Sequence, residues 1–148
     1  MPTGGTLEVD QGLSPLDLRN DLVGYWPLDG NGADVSGNGR DLTLFGNPTF
    51  APGGFGLALS LHDDKSQYAQ RPVDDAAFDF GNGSDFTIQV WVNFNTTRRD
   101  QTLLEKTLGA SGPGWRLRTL YFGGQGHWSF TDPSLNMDTS PQNIQPGV

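Results

Sequence analysis

Alternation of apolar and polar residues is clearest in "DFTIQVWVNF", Asp85 to Phe94. Successive strand side chains point to opposite faces. Phe86, Ile88, Val90, Val92 and Phe94 therefore share one face, and Thr87, Gln89, Trp91 and Asn93 share the other. The apolar stripe is expected to face the core. On that reading Val90→Asp prevents folding, since an unpaired buried charge costs several kcal/mol. The same period runs through "DLTLF" (Leu42, Leu44) and "LALSL" (Leu57, Leu59, Leu61). "GWRLRTLYF" puts Trp115, Leu117, Thr119 and Tyr121 on one face. The Gly-rich break "GGQG" before "HWSFT" predicts a hairpin. "LVGYWPL", Leu22 to Leu28, is apolar on both faces, as a buried strand would be. No long segment has a helical period. Ser14-Pro15 signals only a short helical turn near Pro15 to Asn20. Short strands between turn signals predict an all-β antiparallel sandwich or barrel. The predicted organisation is an N-terminal arm over 1–21, with that helical turn, and one domain over 22–148. The tail, "DPSLNMDTSPQNIQPGV", is turn-rich and gives no strand signal.

Composition narrows the function classes. The chain has 148 residues, with 21 Gly and 10 Pro, which suits many short elements joined by turns. Its net charge is −8. Phosphate backbones and anionic membranes are bound by clustered Lys and Arg, so neither is an expected partner. Arg98-Arg99 is followed by Asp100 and reads as a solvated turn. There is no cysteine, so disulfides, thiolate nucleophiles and Cys-based zinc sites are excluded. "MPTGGTLEVDQG" has neither the basic nor the apolar region of a signal peptide. No apolar run approaches the roughly 20 residues that span a bilayer.

"YWPLDGNGADVSGNGRDLTLFG", Tyr25 to Gly46, alternates carboxylates, amides and glycines as a cation loop would. An EF-hand loop opening at Asp29 needs an oxygen ligand at its fifth position, Gly at the sixth and Glu at the twelfth. Ala33, Asp34 and Arg40 stand there instead. The stretch is not an EF-hand.

Several motifs, in order, resemble the laminin-G-like, concanavalin A-like lectin/glucanase superfamily. They are "LVGYWPLDGNGADVSGNGRDLTLFG", "GGFGLALSL", "QYAQRP", "FDFGNGSDFTIQVWVNF" and "TLLEK", within Leu22 to Phe130. The resemblance implies a jelly-roll β-sandwich of two antiparallel sheets. It makes Asp34, Ser36, Gly37, Asn38 and Gly39 a turn of the chain. Family members usually continue past a motif like Pro146-Gly147-Val148 with further strands, so a sandwich lacking its last strands is expected. An open sandwich implies a homo-oligomer or a larger assembly. Many members bind calcium through Asp, Asn and main-chain oxygens. The candidates for it here are Asp63 and Asp64 in "HDDKSQY", with Asn82 and Asp85 in "GNGSDF". The alternative is that Asp63-Asp64 lie in a solvated turn and that Asp85 caps its own backbone.

Catalysis fits poorly. Glycoside hydrolysis needs two carboxyl groups about 5–9.5 Å apart. Glutamate occurs only as Glu8 and Glu105, and Glu105 beside Lys106 reads as an exposed local ion pair. His62 and His127 have no Ser or Cys elbow nearby, and "SGPGW" lacks the Lys of a phosphate loop. Recognition fits better. Trp91 among Thr87, Gln89 and Asn93 offers ring area with directional amides, as a sugar or a polar protein surface requires. The alternative is a Trp91 buried under a loop or a second sheet. Trp115, Trp128 and Tyr121 read as core. The expected function is a non-enzymatic recognition module for glycan or a protein surface. The alternative is a structural component of an assembly, such as a bacteriophage virion decoration or tail protein. The expected location is extracellular or on a virion surface.

Overall fold

The computed structural model describes residues 21–80, 85–96, 99–107, 114–132 and 136–138. The expected arm, its helical turn and Asn82 lie outside the described residues. Among those residues the chain is all-β, with eight strands in three antiparallel sheets and two single-turn 3-10 segments. Contacts divide it between Pro72 and Val73 into two compact units.

The first unit holds two small ribbons. Strand β1 (Thr43–Phe45) pairs with β4 (Tyr68–Gln70), and β2 (Thr49–Pro52) pairs with β3 (Leu57–Ser60). Leu42 and Leu44 are half-buried between exposed neighbours, as their alternation requires. Leu57 and Leu61 are exposed, although they share the period of Leu59. A two-stranded ribbon has too little surface to cover a whole apolar face. Phe45 and Tyr68, opposite each other in the β1–β4 register, stack at 4.8 Å. Asp63 to Lys65 form the first 3-10 turn. Leu22 to Leu28 join no ladder, contrary to the sequence reading. Side chains of the loop that follows take its backbone groups instead.

The second unit is built on one sheet in the order β5 (Gln101–Thr107), β6 (Gly114–Phe122), β7 (Gln125–Thr131) and β8 (Asn136–Asp138). The hairpin between β6 and β7 turns at Gly123-Gly124, both at positive φ. Such a turn follows the natural twist of the strands and favours Gly in both places. Strand β8 arises in the turn-rich tail, where no strand pattern was present. Its three residues are held by pairing to Ser129, Phe130 and Thr131, not by local propensity.

The register places Trp115, Leu117, Thr119 and Tyr121 of β6 on the same face as Trp128 and Phe130 of β7. This aromatic face is the core. Trp115 stacks on Phe80 at 5.3 Å and on Phe130 at 6.2 Å. Its indole Nε1 donates to the Phe78 carbonyl at 2.7 Å. That carbonyl lies in the second 3-10 turn, Ala76–Phe78, which Asp75 caps by accepting from the Ala77 N–H at 3.0 Å.

Residues 85–94 depart furthest from expectation. No turn, bend or positive φ interrupts them, yet among the described residues no strand pairs with them. Phe86 stacks on Phe80 at 4.7 Å and lies 5.6 Å from Phe130. Phe94 is buried and sits 6.0 Å from Trp128. Aromatic contacts therefore hold both ends on the sheet. Val90 between them is 40% exposed. A charge at Val90 would reach water, so Val90→Asp is now expected to leave the chain folded and to cost under about 1 kcal/mol in a denaturant melt.

Candidate functional site

The loop from Asp29 to Asp41 is a knot of side chains on backbone. The Asp34 carboxylate accepts from the N–H groups of Tyr25, Ser36 and Arg40 at 3.0, 2.9 and 2.9 Å. Asp41 Oδ1 accepts from the Asp34 N–H, and Asn31 Oδ1 from the Ala33 N–H. Asp29 Oδ1 accepts from the Leu57 N–H at the start of β3. Asn38 donates to the Leu22 and Val23 carbonyls, and Arg40 also donates to Val23. Trp26 Nε1 donates to the Arg40 carbonyl at 2.8 Å. Gly32 is buried and bonds the Leu42 N–H, so close that a Cβ would overlap the Leu42 carbonyl oxygen. The acidic oxygens thus point at N–H donors. The stretch that resembled a calcium loop is a corner of the chain.

Three of the four calcium candidates are described. Asp63 and Asp64 lie in the 3-10 turn of the first unit, and Asp85 belongs to the second. All three are exposed. Among the described residues no group of three His, Asp or Glu side chains could hold a metal. Thermal melts with calcium and with chelator are expected to agree within about a degree, since only a ligand bound to the native state raises Tm by mass action.

Glu105 and Lys106 do not pair with each other. Adjacent strand residues point to opposite faces. Glu105 accepts from Arg116 Nε across the β5–β6 ladder at 2.8 Å. Lys106 bonds Asp79, lies 3.2 Å from Asp74 and donates to the Asp75 carbonyl. Burial alone would lower the Lys106 pKa, but the bonds and charges of Asp79 and Asp74 outweigh it and raise the value. These cross-strand partners could have been found from the charged alternation in "WRLRT" once its hairpin was recognised. The face of the sheet opposite the aromatic core also carries His127 and Ser129, both buried, with the Phe122 ring stacked on His127 at 3.6 Å. Sequence reading gave no role to this face, because burial of a lone His or Ser depends on packing, not on pattern.

The four recognition candidates are exposed together with Phe86, Val90 and Val92 at the alternate positions, so the expected division into a core face and an open face is not seen. Thr87, Gln89, Trp91 and Asn93 are all exposed, and Trp91 is 74% exposed. The alternative of a buried Trp91 does not hold. No family model, curated protein or solved structure matches the chain. Among the described residues no helix is long and apolar enough to cross a membrane.

Proposed function

We propose that this chain is a non-enzymatic recognition module on a jelly-roll-type β-sandwich, binding a glycan or a polar protein surface through Thr87, Gln89, Trp91 and Asn93. The observation that carries the reading is the exposure of Trp91 between two amides and a hydroxyl. The indole face covers the apolar C–H side of a sugar ring, or a partner's aliphatic stems. Gln89 and Asn93 add donors and acceptors that fix direction. Aromatic anchoring of Phe86 and Phe94 at either end keeps the run in place before a ligand arrives, which lowers the ordering cost of binding.

Trp91→Ala is expected to change stability by less than about 0.5 kcal/mol, as an exposed substitution does. It is expected to abolish glycan-array signal or, for a protein ligand, to weaken binding at least about tenfold, the loss typical of an interface anchor. An unchanged array profile and unchanged partner affinity would reject the reading.

A second reading is a structural component of a larger assembly, such as a virion decoration or tail protein. One observation favours it: residues 86–94 form a long uncharged run that no described strand completes. Ordered neighbours against this run in a native particle, with a blank glycan array, would select it.

A further inference from the structure

We infer that Lys106 is a positioning residue for the proposed recognition surface: it fixes the turn at residues 74–79 on the sheet, so that Phe80 keeps its place against Phe86. The inference rests on the recognition reading for its functional meaning, but its geometry can be tested without a ligand. It begins from a convergence. Lys106 Nζ bonds the Asp79 carboxylate, lies 3.2 Å from Asp74 Oδ1 and donates to the Asp75 carbonyl at 2.8 Å. An ammonium has three donors and no acceptor, one donor for each of these oxygens. All three oxygens come from one segment. Asp74 and Asp75 precede the 3-10 turn Ala76–Phe78, and Asp79 follows it.

The turn itself brings its two ends together. The Phe78 N–H donates to the Asp75 carbonyl at 3.1 Å, and the Asp79 N–H donates to the Ala76 carbonyl at 3.0 Å. One ammonium therefore clasps both ends of one turn. The Lys106 side chain is 14% exposed, whereas those of Asp74 and Asp79 are more than half exposed, so the segment is drawn onto a charge set in the sheet. Burial acts to lower the Lys106 pKa, but the bonds and charges of Asp79 and Asp74 outweigh it, and the group stays cationic at neutral pH.

The path from this clasp to the recognition run is short. Lys106 of β5 stands opposite Trp115 of β6 in the ladder, and cross-strand partners share a face. Two neighbouring points on that face thus hold the turn, because Trp115 Nε1 donates to the Phe78 carbonyl at 2.7 Å. Directly after Asp79, Phe80 stacks on Trp115 at 5.3 Å and on Phe86 at 4.7 Å. Phe86 opens the run that carries Thr87, Gln89, Trp91 and Asn93. Apolar contact between rings is non-directional, so the aromatic stack alone does not fix how the segment is seated. Charge-assisted bonds are short and directional, and Lys106 supplies them. Without the ammonium the turn loses one of its two fixings. Phe80 is then free to shift, and the run has to be ordered at the moment of binding.

The test follows deuterium exchange of the Trp115 indole N–H and the cross-peak between the Phe80 and Phe86 rings by NMR on the full chain. Lys106→Met keeps the apolar stem and removes the charge. It is expected to speed Trp115 indole exchange at least about tenfold and to weaken the Phe80–Phe86 cross-peak, while Trp115 stays against Phe130. Lys106→Arg keeps the charge and is expected to restore both signals. Trp26, whose Nε1 donates to the Arg40 carbonyl in the first unit, is the internal control and should not change. Arg116→Met removes the Glu105 pair of the same two strands on the opposite face, and should leave the Trp115 indole as it is. Asp79→Asn, at a side chain 56% exposed, reads the same bond without loss of the fold and is expected to speed exchange about threefold. None of these signals depends on the glycan array, so the positioning role and the recognition reading fail separately. An unchanged Trp115 indole in both Lys106→Met and Asp79→Asn overturns the inference. So does equal acceleration in Arg116→Met, acceleration that Lys106→Arg shares, or a Phe80–Phe86 cross-peak at full intensity in Lys106→Met.

Discussion

Asp34→Ala is expected to destabilise the first unit by about 2–3 kcal/mol, more than most single substitutions, because it leaves three N–H groups without their acceptor. No described apolar residue of that unit is fully buried. Its corner is therefore held by polar contacts more than by a core, and Asp34 receives three of them. Burial raises the Asp34 pKa, but the bonds from Tyr25, Ser36 and Arg40 outweigh it and bring the carboxyl to about 2 from an ordinary 3.8. A depressed folded-state pKa contributes stability above the unfolded value, which is lost as protons bind the native carboxylate. The contribution is thus complete above about pH 4 and fades as pH falls toward 2. Near 1.4 kcal/mol per unit, the ceiling is about 2.5 kcal/mol before the discount for solvent screening. Asp34→Asn should flatten this acid limb, since it keeps an acceptor but cannot titrate. Amide exchange at Tyr25, Val35 and Leu42 reads the corner directly. Protection that is unchanged in Asp34→Ala, or an acid limb that persists in Asp34→Asn, would refute the assignment.

The strands that the sequence revealed were those whose pattern is a property of the strand itself. Gly114–Phe122 could be read because Trp115, Leu117, Thr119 and Tyr121 keep one face and two glycines follow at once. Strands β4 and β8, three residues each, could not be read, because so short a strand is held by its partner. Leu22 to Leu28 misled in the opposite sense. Its apolar run fits a strand, but Asn38, Arg40 and Asp34 take its backbone groups from positions 9 to 17 residues away, and no local period encodes that. Along residues 86–94 alternation did not set exposure: Phe86, Val90 and Val92, expected on the core face, are exposed together with Trp91, because exposure depends on what lies above a strand.

Trp115→Ala is expected to cost the second unit about 3–5 kcal/mol, the range for removing a buried aromatic. The ring is 7% exposed and stands between Phe80 and Phe130, while Phe80 in turn carries Phe86. Removing it opens a cavity at the centre of that stack and leaves the Phe78 carbonyl, which its Nε1 bonds, with the Phe80 N–H as its remaining donor. Trp115→Phe separates the two losses. It keeps most of the apolar volume but not the N–H donor, so about 1–2 kcal/mol is expected from the lost hydrogen bond and the smaller void. Denaturant melts of both variants read these differences. The effect should reach the proposed recognition surface as well, because Phe86 anchors one end of residues 85–94 through Phe80. With that anchor loosened, the Trp91 face is ordered only on binding, and affinity should fall although no contact residue has changed. Trp115→Phe, which preserves a ring against Phe80, should retain affinity while losing stability. Equal loss of affinity in both variants would show that the Phe80–Phe86 stack does not hold the surface, and a Trp115→Ala cost below about 1 kcal/mol would show that this ring is not the centre of the core.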